Sequence, residues 1–477
     1  MASTADPALD RPVRPFGWRD KVGYMFGDFG NDMTFMIQAF FMLVYFTNVI
    51  GIEAAHVGLL VMVARILDAF TDIGIGRIVD IIKPRKDGKF KPWIRWFAIP
   101  VAVTSALLFQ NFIADWPYAL KLTWMFVFYI LWGSVFYTAV NIPYGSMASV
   151  ISDKAADRAE LSVWRSTGAQ LAFLLVSFLL PMIAFKGREV LAGPFSMSAI
   201  VMAALAVVFY ALLYFNVEER VKVAPKPKGE RQSGGALIKS LLTNRALMAI
   251  VVAALLLLLG NLLNGAVASY LYLDYFGSGQ LQSWASLAAS LPPLLLVFFI
   301  APLVKRFGKT EVGIVGVAVY VGVMLLNFFL RPTNPTLFIV LFAIASFGLA
   351  VFNYLIWAFI VDVIDFQEVR SGERDDATVY AVYSWARKLG QALSAGVAGV
   401  ALSYIGYKSA VPGQPAAQQT PETVGGIWML FNLAPALLVG GTLLVLLFWY
   451  PLRKKQVDEN AEIVRQRRAA SDAQIAG

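Results

Sequence analysis

The feature that most constrains this chain is a recurrence: apolar runs of membrane-spanning length, each ended by a short polar turn, return along almost its whole length. About 20 apolar residues in a helix cross the roughly 30 Å hydrocarbon core of a bilayer. Lipid offers the backbone no hydrogen bonds, so only helices or a closed barrel can span it. The runs here are longer than the roughly ten residues of a tilted barrel strand and do not alternate apolar with polar, which leaves helices. Composition agrees, since 58% of the 477 residues are hydrophobic and 15% are charged. A soluble domain carries about 25% charged residues, and so few charges cannot cover a soluble globule of this size.

The expected fold class is therefore an all-α membrane protein of twelve transmembrane helices. They are expected near 22–49, 56–82, 94–114, 120–150, 161–185, 195–216, 246–276, 281–304, 311–330, 336–364, 377–405 and 426–450. The polar Pro-, Lys- and Gly-rich stretch at 217–245 is the strong interior break in composition. It divides the chain into an N-terminal segment 1–21, a six-helix half 22–216, the linker 217–245, a second six-helix half 246–450 and a tail 451–477. Lys and Arg crowd one side: Arg11, Arg14, Arg19, Lys21, then Lys83, Arg85, Lys86, Lys89, Lys91 and Arg95, then the linker, Lys305, Arg306, Lys309 and the tail. The other side holds Lys121, Lys186, Arg188, Arg331 and Lys408. By the positive-inside rule both termini are expected in the cytoplasm, with the chain multi-pass in the inner (cytoplasmic) membrane.

Several function classes fall away. With no Cys and one His, the chain has no thiolate nucleophile, no disulfide, no Cys-ligated metal and no imidazole cluster, and no cofactor is expected. The net charge of +9 sits in loops between apolar runs rather than on a soluble basic face, so no nucleic-acid partner is expected. Residues 1–20 lack the apolar core of a signal peptide. Gly308-Lys309-Thr310 ends like a phosphate loop, but Leu303 stands where that motif needs glycine, and no strand precedes it.

An ionisable residue near the bilayer centre costs about 2.5–3.5 kcal/mol on insertion scales, so each one needs a reason. The first span carries Asp28 and Asp32 one turn apart, and the second carries Arg65, Asp68 and Asp72 at i, i+3 and i+7 on one face. Thr71 precedes Asp72, Arg165 lies in the fifth span, and Arg387 and Lys388 lie in the eleventh. Singly, any of them could be half of a structural ion pair. Two carboxylates one turn apart do more, because their repulsion when both are ionised favours uptake of a proton or cation. In the fourth span Pro143 lacks an N–H and frees a carbonyl one turn earlier, near the polar groups of Thr138, Asn141 and Tyr144, as in a helix that lines a cavity.

These motifs, taken in order, are GYMFGDFGNDMTF at 23–35, RILDAFTDIGIGRIVD at 65–80, GKFKPW at 88–93, NIPYGSM at 141–147, and VDVIDFQEVRSGER followed by YSWARKLGQALSAGVAGVALSYIGY. The chain resembles the glycoside–pentoside–hexuronide:cation symporters of the major facilitator superfamily over nearly its whole length. The basic turns after the second and eighth spans, GRIVDIIKPRKDGKFKPW and APLVKRFGKTEVG, match the internal repeat of that fold. The resemblance implies alternating-access uptake of a glycoside, pentoside or hexuronide with a proton or sodium ion. It puts the cation at Asp68, Asp72 and Thr138, with Thr71 where the best-known member has asparagine, and Asp68 and Asp72 as metal ligands if the ion is sodium. Sugar-binding positions fall on Asp32, Arg165 and Lys388. The expected substrate set also takes in Asn31, Arg65, Asn141, Tyr144, Asn353, Tyr354 and Trp357. Asn31, Asn141, Gly145 and Asn353 depart from the best-known member, so its sugar specificity does not transfer. Asp362, Asp365 and Glu368 are expected to pair with the basic turns.

The partners implied are a sugar or glycoside, a monovalent cation and the lipid bilayer, with the protein a monomer. A transporter-like sugar sensor, or a sugar exporter or exchanger, is the alternative, and an enzyme is not expected because no nucleophile stands with a base. The topology makes a direct prediction: a reporter fused after Arg231 reads as cytoplasmic and one fused near Gln414 as external, and both on one side would break the twelve-span model.

Overall fold

The computed structural model describes residues 14–82, 84–221, 244–371, 376–414 and 416–476. Most of the linker, at 222–243, and the first 13 residues lie outside the described residues. The first six long helices are α1 (Trp18–Asn48), α2 (Ala54–Ile81), α3 (Lys91–Leu108), α4 (Tyr118–Ile151), α5 (Ala155–Ala184) and α6 (Ala192–Asn216). They are followed by α7 (Arg245–Tyr275), α8 (Leu281–Phe307), α9 (Lys309–Leu330), α10 (Pro335–Ser371), α11 (Asp376–Tyr404) and α12 (Pro421–Trp449), and then by a tail helix, α13 (Lys454–Ala476).

Seven of these are long and apolar enough to cross a membrane by length and composition, and α8 makes an eighth if its two bent parts count as one span. Three of the helices outside that set, α1, α2 and α11, carry Asp28 and Asp32, Arg65, Asp68 and Asp72, and Arg387 and Lys388. On the outside of the helices large apolar side chains such as Phe215, Phe298, Phe329 and Phe448 are exposed, a surface suited to lipid rather than water.

Helices α1–α6 together with Lys408–Gln418 form one compact unit, and α7–α13 form the other. In the first, α1 packs along α5 and α6, α6 packs on α3, and α2 lies against α4. In the second, α9 pairs with α10, and α7 lies against α11 and α12. The segment Lys408–Gln418 is held to the first unit by hydrogen bonds to carbonyls at and just after the end of α1. There Ala410 N donates to the Thr47 carbonyl at 2.9 Å, and Ser409 Oγ donates to the Ile52 carbonyl at 2.8 Å.

The structure departs from expectation in several places. Helix α3 stops at Leu108 instead of 114, where the Gln110 side chain donates to the Ala106 carbonyl at 2.6 Å and a short 3₁₀ turn, Asn111–Ile113, follows. No strand was expected, yet Phe185–Lys186 pairs with Glu189–Val190 in a small hairpin, turned at Gly187 with φ +58°. Helix α4 runs through Pro143 without a break, and its irregularity lies earlier, in the π turn Leu131–Tyr137. Helix α8 bends by 57° between Leu281–Leu296 and Phe298–Phe307. Pro302 crowds the carbonyl of Phe298 there, and Pro292 and Pro293 remove N–H donors one turn before. Helix α12 starts at Pro421, behind the Thr420 cap that accepts from Thr423 N at 3.3 Å.

The charged tail, expected as a plain segment, is helical. Its first lysine, Lys454, donates to the carbonyls of Lys305 and Arg306 at 3.0 and 2.9 Å, and Arg467 donates to the Glu368 carbonyl at 2.9 Å. Cations thus sit on the exposed carbonyl ends of α8 and α10, where a helix carries partial negative charge. In the first unit the fully buried Asp20 takes Arg220 through both of its oxygens, at 3.1 and 2.9 Å, and Arg14 at 3.0 Å. The neighbouring Glu219 accepts three backbone N–H bonds from Lys89, Phe90 and Lys91, at 2.6, 2.9 and 2.8 Å. Burial pushes its carboxyl above the ordinary glutamate value, and those three donors pull it back.

Close approach of α1 and α4 depends on Gly27, where a Cβ would stand 2.7 Å from Cδ2 of the Tyr144 ring. Tyr144 is fully buried, so the ring has nowhere to go. Gly27→Ala should therefore destabilise the detergent-purified protein by about 1–3 kcal/mol. Gly74→Ala, whose added Cβ meets nothing within 4 Å, should not lower the melting temperature, and a matching loss in both would refute this packing account.

Candidate functional site

Two neighbouring clusters in the first unit collect most of the candidate residues. The first joins α2 to α4. Ser134 Oγ donates to Asp68 Oδ1, and Thr138 Oγ1 lies 3.0 Å from Asp72 Oδ1 and 2.9 Å from the carbonyl of Gly133. The Thr138-to-Gly133 contact spans five residues, the spacing a π turn opens. Such turns recur at functional sites. Thr71 turns its hydroxyl back to the Asp68 carbonyl at 3.1 Å, within its own helix. One turn before Asp68, Arg65 lies with its guanidinium 5.1 Å from the centre of the Phe35 ring, within electrostatic reach of Asp68.

Thr138 has one hydrogen and two acceptors in reach. If that hydrogen goes to the Gly133 carbonyl, two oxygens face each other at 3.0 Å, and the contact is favourable only when Asp72 carries a proton or a cation lies between them. This is an arrangement able to take up positive charge.

The second cluster joins α1, α4, α5 and α6. Arg165 Nε donates to Asp28 Oδ1 at 3.0 Å, and the guanidinium lies 5.3 Å from the centre of the Tyr144 ring. Tyr144 and Tyr24 stack at 4.7 Å and tie their helices reciprocally: Tyr144 donates to the Tyr24 carbonyl at 2.7 Å, and Tyr24 to the Tyr144 carbonyl at 3.3 Å. Tyr144 therefore offers Arg165 a ring, and its hydroxyl is engaged elsewhere. Asn31, fully buried, donates to Asn141 Oδ1 at 3.4 Å and accepts from Tyr210 at 2.7 Å. Asp32 is half-buried, and among the described residues no hydrogen bond or ion pair is formed by its carboxylate.

The remaining candidates belong to the second unit. Asn353 and Tyr354 are exposed on α10, and Lys388 is exposed on α11. Trp357 also lies on α10, with its side chain outside the described residues. Asp362 on α10 pairs with Lys309 at the start of α9, one of the basic turns it was expected to face. His56 meets the Tyr118 hydroxyl at 2.7 Å on an exposed helix end.

Sequence reading missed Ser134 and Asp28's pairing. Ser134 stands four residues before Thr138 on the same helix, so helical spacing alone could have found it. Tyr210 could not have been found that way, because its bond to Asn31 links residues 179 apart in the chain.

The family model described as MFS/sugar transport protein matches residues 23–454. The chain belongs to that family. It is 32% identical over 449 residues to an uncharacterized symporter, YjmB, of Bacillus subtilis (strain 168), covering 94% of each chain. It is 30% identical to the glucuronide carrier protein homolog of Escherichia coli (strain K12), covering 93% of this chain and 94% of the other. Among solved structures, a bacterial homologue of the iron transporter ferroportin in an inward-facing state superposes with a TM-score of 0.62 at 12% identity, covering 91% of this chain and 98% of that one. At that identity it speaks for the fold alone. The chain is thus a multi-pass membrane protein of the major facilitator fold, a transporter of the sugar and glycoside class and not an enzyme.

The hydroxyls around Asp68 and Asp72 can be tested directly. Thr138→Val keeps the shape and removes the hydroxyl, and losing one hydrogen bond to a charged group costs about 1.5–3 kcal/mol. If this cluster takes up a coupling cation, the cation concentration giving half-maximal uptake should rise at least about tenfold. Ser134→Ala should shift it in the same direction, and an unchanged value in both variants would remove these hydroxyls from the site.

Proposed function

We propose that this protein is a cation-coupled symporter that carries a glycoside, pentoside or hexuronide into the cell by alternating access of two six-helix halves, 22–216 and 246–450. In this reading α1–α12 all cross the inner membrane, both termini are cytoplasmic, and a single chain suffices. The observation that carries it is the pair Asp68 and Asp72, one turn apart on α2, each met by a hydroxyl of α4. Such a pair changes its charge when it takes up a cation, and a transporter needs that change for coupling. The names of the symporter and glucuronide carrier relatives support the same class.

The coupling ion we favour is the proton. A sodium ion needs several oxygens at close range, whereas Thr71 directs its hydrogen to the Asp68 carbonyl and Ser134 donates to Asp68 itself. A proton needs one carboxylate oxygen facing a group able to accept, and the Thr138 hydroxyl can accept from Asp72 when its own hydrogen goes to the Gly133 carbonyl. In the first unit the sugar is held by Asp32, which accepts from hydroxyl groups, and by Arg165, which donates; Lys388 is the candidate donor of the second unit.

One cation entering with a neutral sugar gains roughly 2.3 kcal/mol per 100 mV, equivalent to about fifty-fold accumulation. In vesicles a panel of neutral and acidic sugars should identify a substrate whose accumulation collapses with the proton gradient and membrane potential and persists when choline replaces sodium. Asp68→Asn and Asp72→Asn should abolish accumulation while leaving sugar binding partly intact. Loss of uptake in choline would give the role to sodium, and accumulation without any ion gradient would overturn symport itself.

A further inference from the structure

We propose that Asp28 is a positioning residue that holds Arg165 away from Asp32, leaving the Asp32 carboxylate open for the sugar. The proposal rests on the reading above, in which Asp32 and Arg165 line the sugar site.

Asp28 and Asp32 stand one turn apart on one face of α1, and a single guanidinium serves both. In a region of low dielectric either carboxylate attracts it strongly. The structure gives it to Asp28, whose Oδ1 lies 3.0 Å from Nε, while Asp32 forms no ion pair among the described residues. The choice has a cause in packing. Gly168, one turn beyond Arg165 on α5, lies against the Met25 backbone with no room for a Cβ, which sets α5 on the Asp28 side of α1. The Tyr144 ring, fixed by its bond to the Tyr24 carbonyl, then carries the guanidinium at 5.3 Å. Reaching Asp32 would take Arg165 about another 6 Å along α1, off that ring.

The outcome is a division of labour. Asp28 and Arg165 cancel as a pair, so the net negative charge of the three groups lies at Asp32, an acceptor for sugar hydroxyls. The pair uses Nε, on the side of the guanidinium, so the terminal nitrogens are not consumed by it. Gly145 leaves that end uncovered, since a Cβ there would be 3.7 Å from Nη1. Without Asp28 the guanidinium is free to move one turn and close on Asp32, and the site would lose its acceptor and its donor together.

The test is a double-mutant cycle on substrate affinity, using the sugar identified in the vesicle panel and folded, detergent-purified protein. Asp28→Asn should weaken equilibrium binding by about tenfold or more and leave the maximal rate of sugar exchange at saturation near that of the wild type. Asp28→Glu should restore affinity. In an Arg165→Gln background, Asp28→Asn should add no further loss, because no guanidinium remains to be held. That background also covers the case in which Asp28→Asn alone does not fold, since it leaves no unpaired buried arginine. Additive losses, unchanged affinity in Asp28→Asn, or failure of Asp28→Glu would overturn the proposal. A wild-type protein that binds no sugar would overturn the symporter reading instead, so the two failures are distinguishable.

Discussion

Charge placed where water is scarce has to be matched where it stands, and that requirement organises the first unit. Three helices, α1, α2 and α5, bring charged groups inward, and three of the carboxylates meet an answer on a neighbour: Asp28 with Arg165, Asp68 with Ser134, Asp72 with Thr138. Because the answers come from α4 and α5, helices that would otherwise be held only by apolar contact are held in register. Lipid tails are as apolar as leucine, so apolar burial gives membrane helices little preference for one neighbour over another, and close packing and polar contacts decide. Gly27 under Tyr144 and Gly168 against Met25 show how small residues permit the approach that the polar bonds then fix.

The outline of this arrangement was legible in the sequence because bilayer thickness and the cost of exposed backbone leave few choices. Each expected span near 22–450 overlaps a helix among the described residues, with ends as far off as those at Leu108 and Ser371. Ends were harder to read. The tail beyond Arg453 and the stretch after Ile364 continue as helix because they lie among good helix formers and find carbonyl ends to bond, an influence that a search for apolar runs does not register. The π turn of α4 was also hidden. Pro143 drew attention to the wrong turn, since proline advertises a missing donor, while Leu131–Tyr137 carries no residue that marks a π turn.

For the site, residue types were legible and partners were not. Two acids at i and i+4 announce a place for positive charge whatever surrounds them. Which acid Arg165 would take was undetermined, because Asp28 and Asp32 are equivalent by spacing and differ only in what α5 lies against. Tyr144 shows the same limit: its hydroxyl was a candidate for sugar, and tertiary packing turned it to the Tyr24 carbonyl. Pairwise choices of this kind depend on positions far apart in the chain.

One helix links the two clusters. Thr138, Asn141 and Tyr144 recur at intervals of three along α4, forming a stripe that meets Asp72 on α2, then Asn31 on α1, then the Arg165 guanidinium. A helix moves as a stiff rod over so few residues, so a shift of α4 that alters the Thr138 contact displaces Asn141 and the Tyr144 ring as well. The Thr138 contact with Asp72 and the Tyr144 ring beside Arg165 are thus less than two turns apart on one helix. Linkage makes such a coupling reciprocal, since a ligand that prefers one position of α4 must favour any other ligand that prefers the same position. The reciprocal tie of Tyr24 and Tyr144 bears on which motion is available. It fastens α4 to α1 at the Tyr144 end of the stripe, whereas α2 meets α4 at the other end, through the hydroxyls of Ser134 and Thr138.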